Sequence, residues 1–142
     1  MSDRYELERF VEAQEGVYAQ ALGELRVGRK TGHWMWFIFP QIAGLGRSSM
    51  AERFAILSLE EARAYLEHPV LGARLKECTQ AVADVEGRTA HEIFGFPDDM
   101  KFRSCMTLFA RAASEDEIFG KALEKYFGGE EDGLTVEKLK GN

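Results

Sequence analysis

From Arg4 to Arg26 the apolar residues Leu7, Phe10, Val11, Val17, Tyr18, Ala21, Leu22 and Leu25 return at spacings of three and four, the mark of one buried stripe on a helix. Gly16 interrupts the stripe and predicts two helices rather than one. Residues 28–47 lose this period: Gly28 and Gly32, then Gly44 and Gly46, predict turns around one short helix. Ser48 caps a helix through Phe54, and Ser58 with Glu61 forms a capping box for a helix over 59–67. Pro69 opens a longer helix with Leu71, Leu75, Cys78, Val82 and Val85 on one face, ending near Gly87. Thr89 with Glu92 makes a second capping box. The stretch from Pro97 to Ala110 begins with acids that suit a helix start and carries Phe102, Cys105, Met106 and Phe109 inward. Ser114 with Glu117 predicts a third box, and Gly128-Gly129 stops the helix that follows. The tail from Glu130 to Asn142 has room for one or two more turns. No alternating run occurs beyond Trp36 to Ile38, so the pattern predicts an all-α, compact single domain over 1–142, with six to eight short helices and an aromatic-rich loop folded inward.

That loop, Arg29 to Gln41, holds both tryptophans of the chain together with Phe37 and Phe39. Its apolar residues follow neither a helical nor a strand period, so two opposite faces both meet something large, either the core or a ligand. If alternate side chains here face opposite ways, His33 and Met35 share one side and Trp34 and Trp36 the other. The indoles then have two readings: core anchors, or a flat wall for a nucleobase, a flavin-like ring or a sugar.

Composition narrows the classes of function. With 142 residues, 45% hydrophobic and 30% charged, the chain suits one cored domain. A net charge of −6 argues against broad electrostatic capture of nucleic acid. No apolar run approaches the length of a membrane span, and the amino terminus lacks the pattern of a secretory signal, so a cytoplasmic location without membrane contact is expected. Cys78 and Cys105 lie far from any CxxC arrangement and read as reduced core thiols, with neither metal nor cofactor implied. The protein partner, if any, is open.

Candidate chemistry gathers around the odd loop. Arg29 and Lys30 sit between glycines, where backbone and side chains together suit an anion, although two basic residues in a turn also read as plain surface. Gly44-Leu45-Gly46-Arg47-Ser48 repeats the pattern, and the two loops together suit a diphosphate. Lys30, Trp34, Trp36, Gln41, Arg47, Ser48 and Lys101 are the candidate ligand-binding residues. Asp98, Asp99, Lys101 and Arg103 form a dense cluster of acids and bases on an inward-facing helix, in which a carboxylate beside cations stays ionised as base, nucleophile or ribose partner; the plain alternative is electrostatics at a helix start. Asp98, Asp99 and His33 are the candidate catalytic residues, His33 because imidazole titrates near neutrality, with a hydrogen-bonded structural role as its alternative. No nucleophile elbow surrounds Ser48, Ser104 or Thr107, which speaks against serine hydrolysis.

The chain resembles a bacterial family catalogued as domain of unknown function 1810. The resemblance rests on Phe10-Val11 with Ala13-Gln14, Ala21-Leu22 with Glu24-Leu25, Gly28-Arg29-Lys30 with His33 through Gln41, Gly44-Leu45-Gly46 with Ser48, His68-Pro69, Ile93-Phe94-Gly95, Asp98 to Lys101, and Ser104 with Met106 to Phe109. It implies a mostly helical single domain of uncertain biochemical role. Some members carry a calpastatin label, yet this acidic, cored chain does not look like that long disordered inhibitor. Gly16 stands where the family's helix-starting proline is expected, which affects only a helix boundary. A looser likeness, to small domains that handle NAD and ADP-ribose and in some cases cleave N-glycosidic bonds, implies a nucleotide-like or ADP-ribose-like ligand. In this reading Lys30 and Arg47 meet phosphates, Trp34 stacks, and Asp98 or Asp99 meets the ribose or activates water. The competing expectation is a non-catalytic domain that docks another protein or a second copy of itself.

Overall fold

The computed structural model describes residues 3–140. Among the described residues ten helices follow one another: α1 (Glu8–Gln14), α2 (Tyr18–Arg26), α3 (Met35–Ile38), α4 (Ser49–Arg53), α5 (Leu59–Glu67), α6 (Leu71–Ala83), α7 (Ala90–Phe94), α8 (Asp98–Ala112), α9 (Glu117–Phe127) and α10 (Gly133–Lys140). The all-α expectation holds. The count passes six to eight because α3, α4 and α7, of four or five residues each, stand as separate single turns. The isolated bridge between Ile42 and Ile56 is the one β contact among the described residues.

The long helix α8 is the spine. Phe102, Cys105, Met106, Leu108 and Phe109 are buried along it, and α5, α9, α7 and α10 pack against it. The helix α6 packs on α2, α5 and α9, so apolar stripes from most of the elements merge into one core. Helices α5 and α6 approach closely at Gly72, where an added Cβ would lie 2.0 Å from the Leu66 carbonyl oxygen. Aromatic rings thread this core, with Phe39 edge-on to Phe102 at 5.0 Å and Phe94 stacked on it at 4.8 Å, centroid to centroid.

The helix ends follow the sequence in part. Gly16 has φ +73° and separates α1 from α2, and Gly128 closes α9 in the left-handed conformation. Thr89 and Glu92 exchange both bonds of a capping box. At α5 the box is only half made: Ser58 accepts from the Glu61 amide at 3.2 Å, but the Glu61 carboxylate turns to the Leu57 N–H and the Arg9 guanidinium, each at 3.0 Å. A buried carboxylate is held by the cation that neutralises it. The third box does not form, because α9 begins at Glu117 and the cap position falls to Asp116, two residues after Ser114; the Asp116 carboxylate pairs with Lys76 at 3.4 Å. Residues 36–38 belong to a helical turn, with Ile38 N–H donating to the Trp34 carbonyl at 3.2 Å. The alternation that would have set both indoles on one side is therefore absent.

No helix among the described residues is long and apolar enough to cross a membrane. Cys78 and Cys105 are free and buried, and burial pushes the Cys78 thiol up to about 12, which keeps it protonated and inert.

Candidate functional site

The loop between α2 and α3 is folded back over α2 by one carboxylate. Glu24 Oε1 accepts from the Thr31 N–H at 2.8 Å, the Gly32 N–H at 2.9 Å and the Trp34 indole N–H at 3.0 Å, while Oε2 accepts from the Gln20 amide at 2.8 Å. Burial alone would raise its pKa and is the largest single influence. The Gly32 and Thr31 amides, with Gln20 and the indole, outweigh it together and hold the carboxyl at about 2. Sequence reading did not single out Glu24 as a site residue. Its role depends on residues 31–34 returning over the helix, for which the local pattern carries no signal.

This clamp drives Trp34 into the core, where it is 1% exposed and its ring lies 6.3 Å from that of Phe39. Stacking of a planar guest on Trp34 is thereby excluded: its polar edge is satisfied by Glu24 and Lys30 Nζ sits 4.9 Å from its ring. Lys30 is the hinge between the loop and α8. Its backbone N–H donates to the Ile93 carbonyl at 2.8 Å, and its ammonium, with the side chain only 7% exposed, meets Asp98 Oδ2 at 2.8 Å. The other carboxylate oxygen of Asp98 faces Lys101 Nζ at 3.6 Å, and that ammonium lies 5.5 Å from the centre of the half-buried Trp36 ring. A row of groups thus runs Trp34, Lys30, Asp98, Lys101, Trp36, drawn from two segments more than sixty residues apart. Spacing along the chain could name its members but not their order.

Other expected members lie apart from this row. Asp99 turns to His91 Nδ1 at 3.4 Å and accepts from the Met100 amide at 2.8 Å. Arg103 reaches the far side of α8, donating to the carbonyls of Glu130 at 2.9 Å and Glu131 at 2.8 Å, so it holds the tail rather than the cluster. His33 and Arg47 are exposed and have no side-chain partner among the described residues. Ser48 is the cap of α4, accepting from the Ala51 N–H at 3.1 Å. Gln41 gives its carbonyl to the Ile56 N–H at 2.9 Å, and its side chain borders a niche with Trp36, Gly44 and Gly46. That niche measures about 10 Å³, room for about one water. A roomier cleft of about 480 Å³ opens between α5, α6 and the α8–α9 turn, lined by Arg63, Lys76, Arg111 and Asp116, and includes none of the expected site residues. Among the described residues no group of three or more His, Cys, Asp or Glu is arranged to hold a metal.

Comparison with known proteins agrees with this architecture. The profile of a family described as "Protein of unknown function (DUF1810)" matches residues 4–139. A solved structure, the conserved hypothetical protein Rv1873 from Mycobacterium tuberculosis, is 56% identical in sequence and superposes with a TM-score of 0.96, over 97% of this chain and 99% of that one. No curated protein matches the chain.

Proposed function

This chain belongs to the DUF1810 family of proteins of unknown function, and on that footing we propose that it binds a small nucleotide-like or ADP-ribose-like ligand over the Lys30–Asp98–Lys101 row and hydrolyses its N-glycosidic bond. The observation that carries the reading is Asp98 itself, a carboxylate 20% exposed and flanked by two ammonium groups at 2.8 and 3.6 Å. The two ammonium groups fix the carboxylate at the edge of the row, where its oxygens are hydrogen-bond acceptors. Trp36 takes the aromatic role that Trp34 cannot fill. Lys101 covers its ring with a side chain 28% exposed, a flexible stem that an entering ligand can displace toward its phosphates. The niche beneath is too small for a ring, so the ligand lies across its mouth and not within it.

In the reaction, water gives its proton to the Asp98 carboxylate as its oxygen bonds to the anomeric carbon. The carbon–nitrogen bond breaks, and the leaving nitrogen keeps the electron pair and takes up the proton. Asp98 serves as the base because it stands in the row between Lys30 and Lys101, whereas Asp99 turns away to His91. Arg47 and His33, exposed on the same loop system, are available to phosphate and ribose. The setting is cytoplasmic, where the two buried thiols stay reduced.

A thermal-shift titration with ADP-ribose, NAD and adenosine tests the binding, and Asp98→Asn tests the chemistry. The variant is expected to keep its fold and lose turnover. Unchanged turnover would remove Asp98 from the mechanism, and no shift with any nucleotide up to millimolar concentration would remove the ligand.

A second reading, a non-catalytic docking domain, is favoured by Phe96 and Met100. They are 76% and 40% exposed and stand at the start of α8 beside the row. Large exposed apolar side chains of this kind anchor interfaces. Sedimentation at high concentration separates the two: a monomer that binds nucleotides supports the first, and a concentration-dependent dimer blind to them supports the second.

A further inference from the structure

The last helix reaches Gly44, one of the residues that line the same niche. A Cβ added at Gly44 would lie 3.0 Å from Lys138 Nζ and 3.1 Å from its Cε, so the lysine side chain is laid along the backbone of the 43–46 turn. Gly44 has φ +95°, a conformation that favours glycine, and any larger residue would push the ammonium away. Lys138 has no ion-pair or hydrogen-bond partner among the described residues, although the chain carries a net charge of −6. Lys101 Nζ stands over Trp36, which shares the lining of the niche with Gly44 and Gly46. Two residues of that lining, Gly44 and Trp36, therefore each carry a lysine against them.

The placement of Lys138 is built, not incidental. Asp132, just before α10, gives its Oδ2 to the Ser104 hydroxyl at 3.0 Å and to the Thr135 amide and hydroxyl at 3.1 and 2.6 Å, while its N–H donates to Thr107 Oγ1 at 2.9 Å. Glu131 adds a two-pronged pair with Arg111, at 2.8 Å for each bond. Thr135 and Leu139 are buried, which fixes the face that α10 turns inward and leaves Lys138 directed to the turn. Ser104 lies one helical turn beyond Lys101 on α8, so the clamp and the second ammonium share a face.

We infer that Lys138 on α10 and Lys101 on α8 form a diphosphate-binding subsite at the Gly44–Gly46 turn, which selects ligands carrying a diphosphate over the corresponding nucleosides. The inference rests on the nucleotide reading given above and adds to it one residue, Lys138, and a preference for the diphosphate over the bare nucleoside. Two phosphates bring two or more negative charges to two cations that no carboxylate fully neutralises, and Lys101 keeps only the longer contact to Asp98.

The test titrates the full chain, as wild type, Lys138→Ala and Lys138→Arg, with ADP-ribose, adenosine and inorganic diphosphate, following tryptophan fluorescence and melting temperature. Lys138 is exposed, so the ligand-free melting temperatures should coincide and serve as the folding control. The expected result is that Lys138→Ala weakens ADP-ribose and inorganic diphosphate about tenfold and leaves adenosine unchanged, with Lys138→Arg restoring most of the loss. Wild-type binding of ADP-ribose that Lys138→Ala does not alter overturns the subsite and leaves the nucleotide reading standing. Wild type that ignores ADP-ribose and adenosine alike overturns both.

Discussion

Trp34 and Trp36 stand two residues apart in one loop and lead opposite lives. Trp34 has every polar need met inside the protein, by Glu24 at its indole nitrogen and by Lys30 near its ring, and it serves as part of the core. Trp36 is half-buried, keeps one side toward the surface beneath a movable lysine, and borders the niche that Gly44 and Gly46 complete. The helical turn α3 causes the divergence, since residues two apart on a helical turn point about 200° apart in projection while an extended strand would have aligned them. An aromatic cluster in a loop is thus not one feature. One member can hold the loop in place so that the other can be presented.

Truncation should separate the two most sharply. Trp34→Ala is expected to destabilise by about 3 to 5 kcal/mol, because it empties a sealed volume and removes one of the four donors to the Glu24 carboxylate. Trp36→Ala should cost about 1 kcal/mol while reducing any nucleotide response. Urea denaturation of both variants measures this, and equal losses would erase the distinction. The lysines that accompany the indoles should repeat the contrast on a smaller scale. Lys30→Met removes the nearer partner of Asp98 and should cost about 2 to 3 kcal/mol, whereas Lys101→Met, taking a more exposed and longer pair, should stay under about 1 kcal/mol in the same assay.

Glu24→Gln should cost about 2 kcal/mol at neutral pH, since the amide accepts more weakly and brings donors of its own against three N–H groups. It also carries a pH signature. The folded carboxyl, held at about 2, lies below the ordinary value of 4.5, so its stabilisation is complete above the unfolded value and fades as pH falls from about 4.5 toward 2. Wild type should lose stability through that window, and the Gln variant should lose less. Parallel slopes in urea titrations at stepped pH would show that Glu24 is not the clamp.

Much of the fold was legible before any coordinates. The stripe over 4–26, the break at Gly16, the caps at Ser48, Ser58 and Thr89 and the stop at Gly128 are local signals, each set by residues within a turn or two of one another. The failures are informative for the same reason. Glu61 deserts its box for Arg9, some fifty residues away, and α9 starts at Glu117 with Asp116, turned to Lys76, ahead of it, so Ser114 and Glu117 never form theirs. The strand-like alternation across residues 33–36 gave way to a helical turn held beside α1 and the core. Partners distant in sequence override local preference whenever they bring charge to a carboxylate or burial to a ring.

The site divides along the same line. Periodicity, caps and glycines sufficed for an all-α body and for marking residues 29–48 and 98–103 as chemically unusual, because these properties reside in neighbouring residues and their spacing. Which indole is sealed, which aspartate stands between lysines, and that Glu24 and Lys138 take part at all were decided only when α2, the loop, α8 and α10 packed together. Burial and charge pairing depend on distances through space, which no interval along the chain encodes.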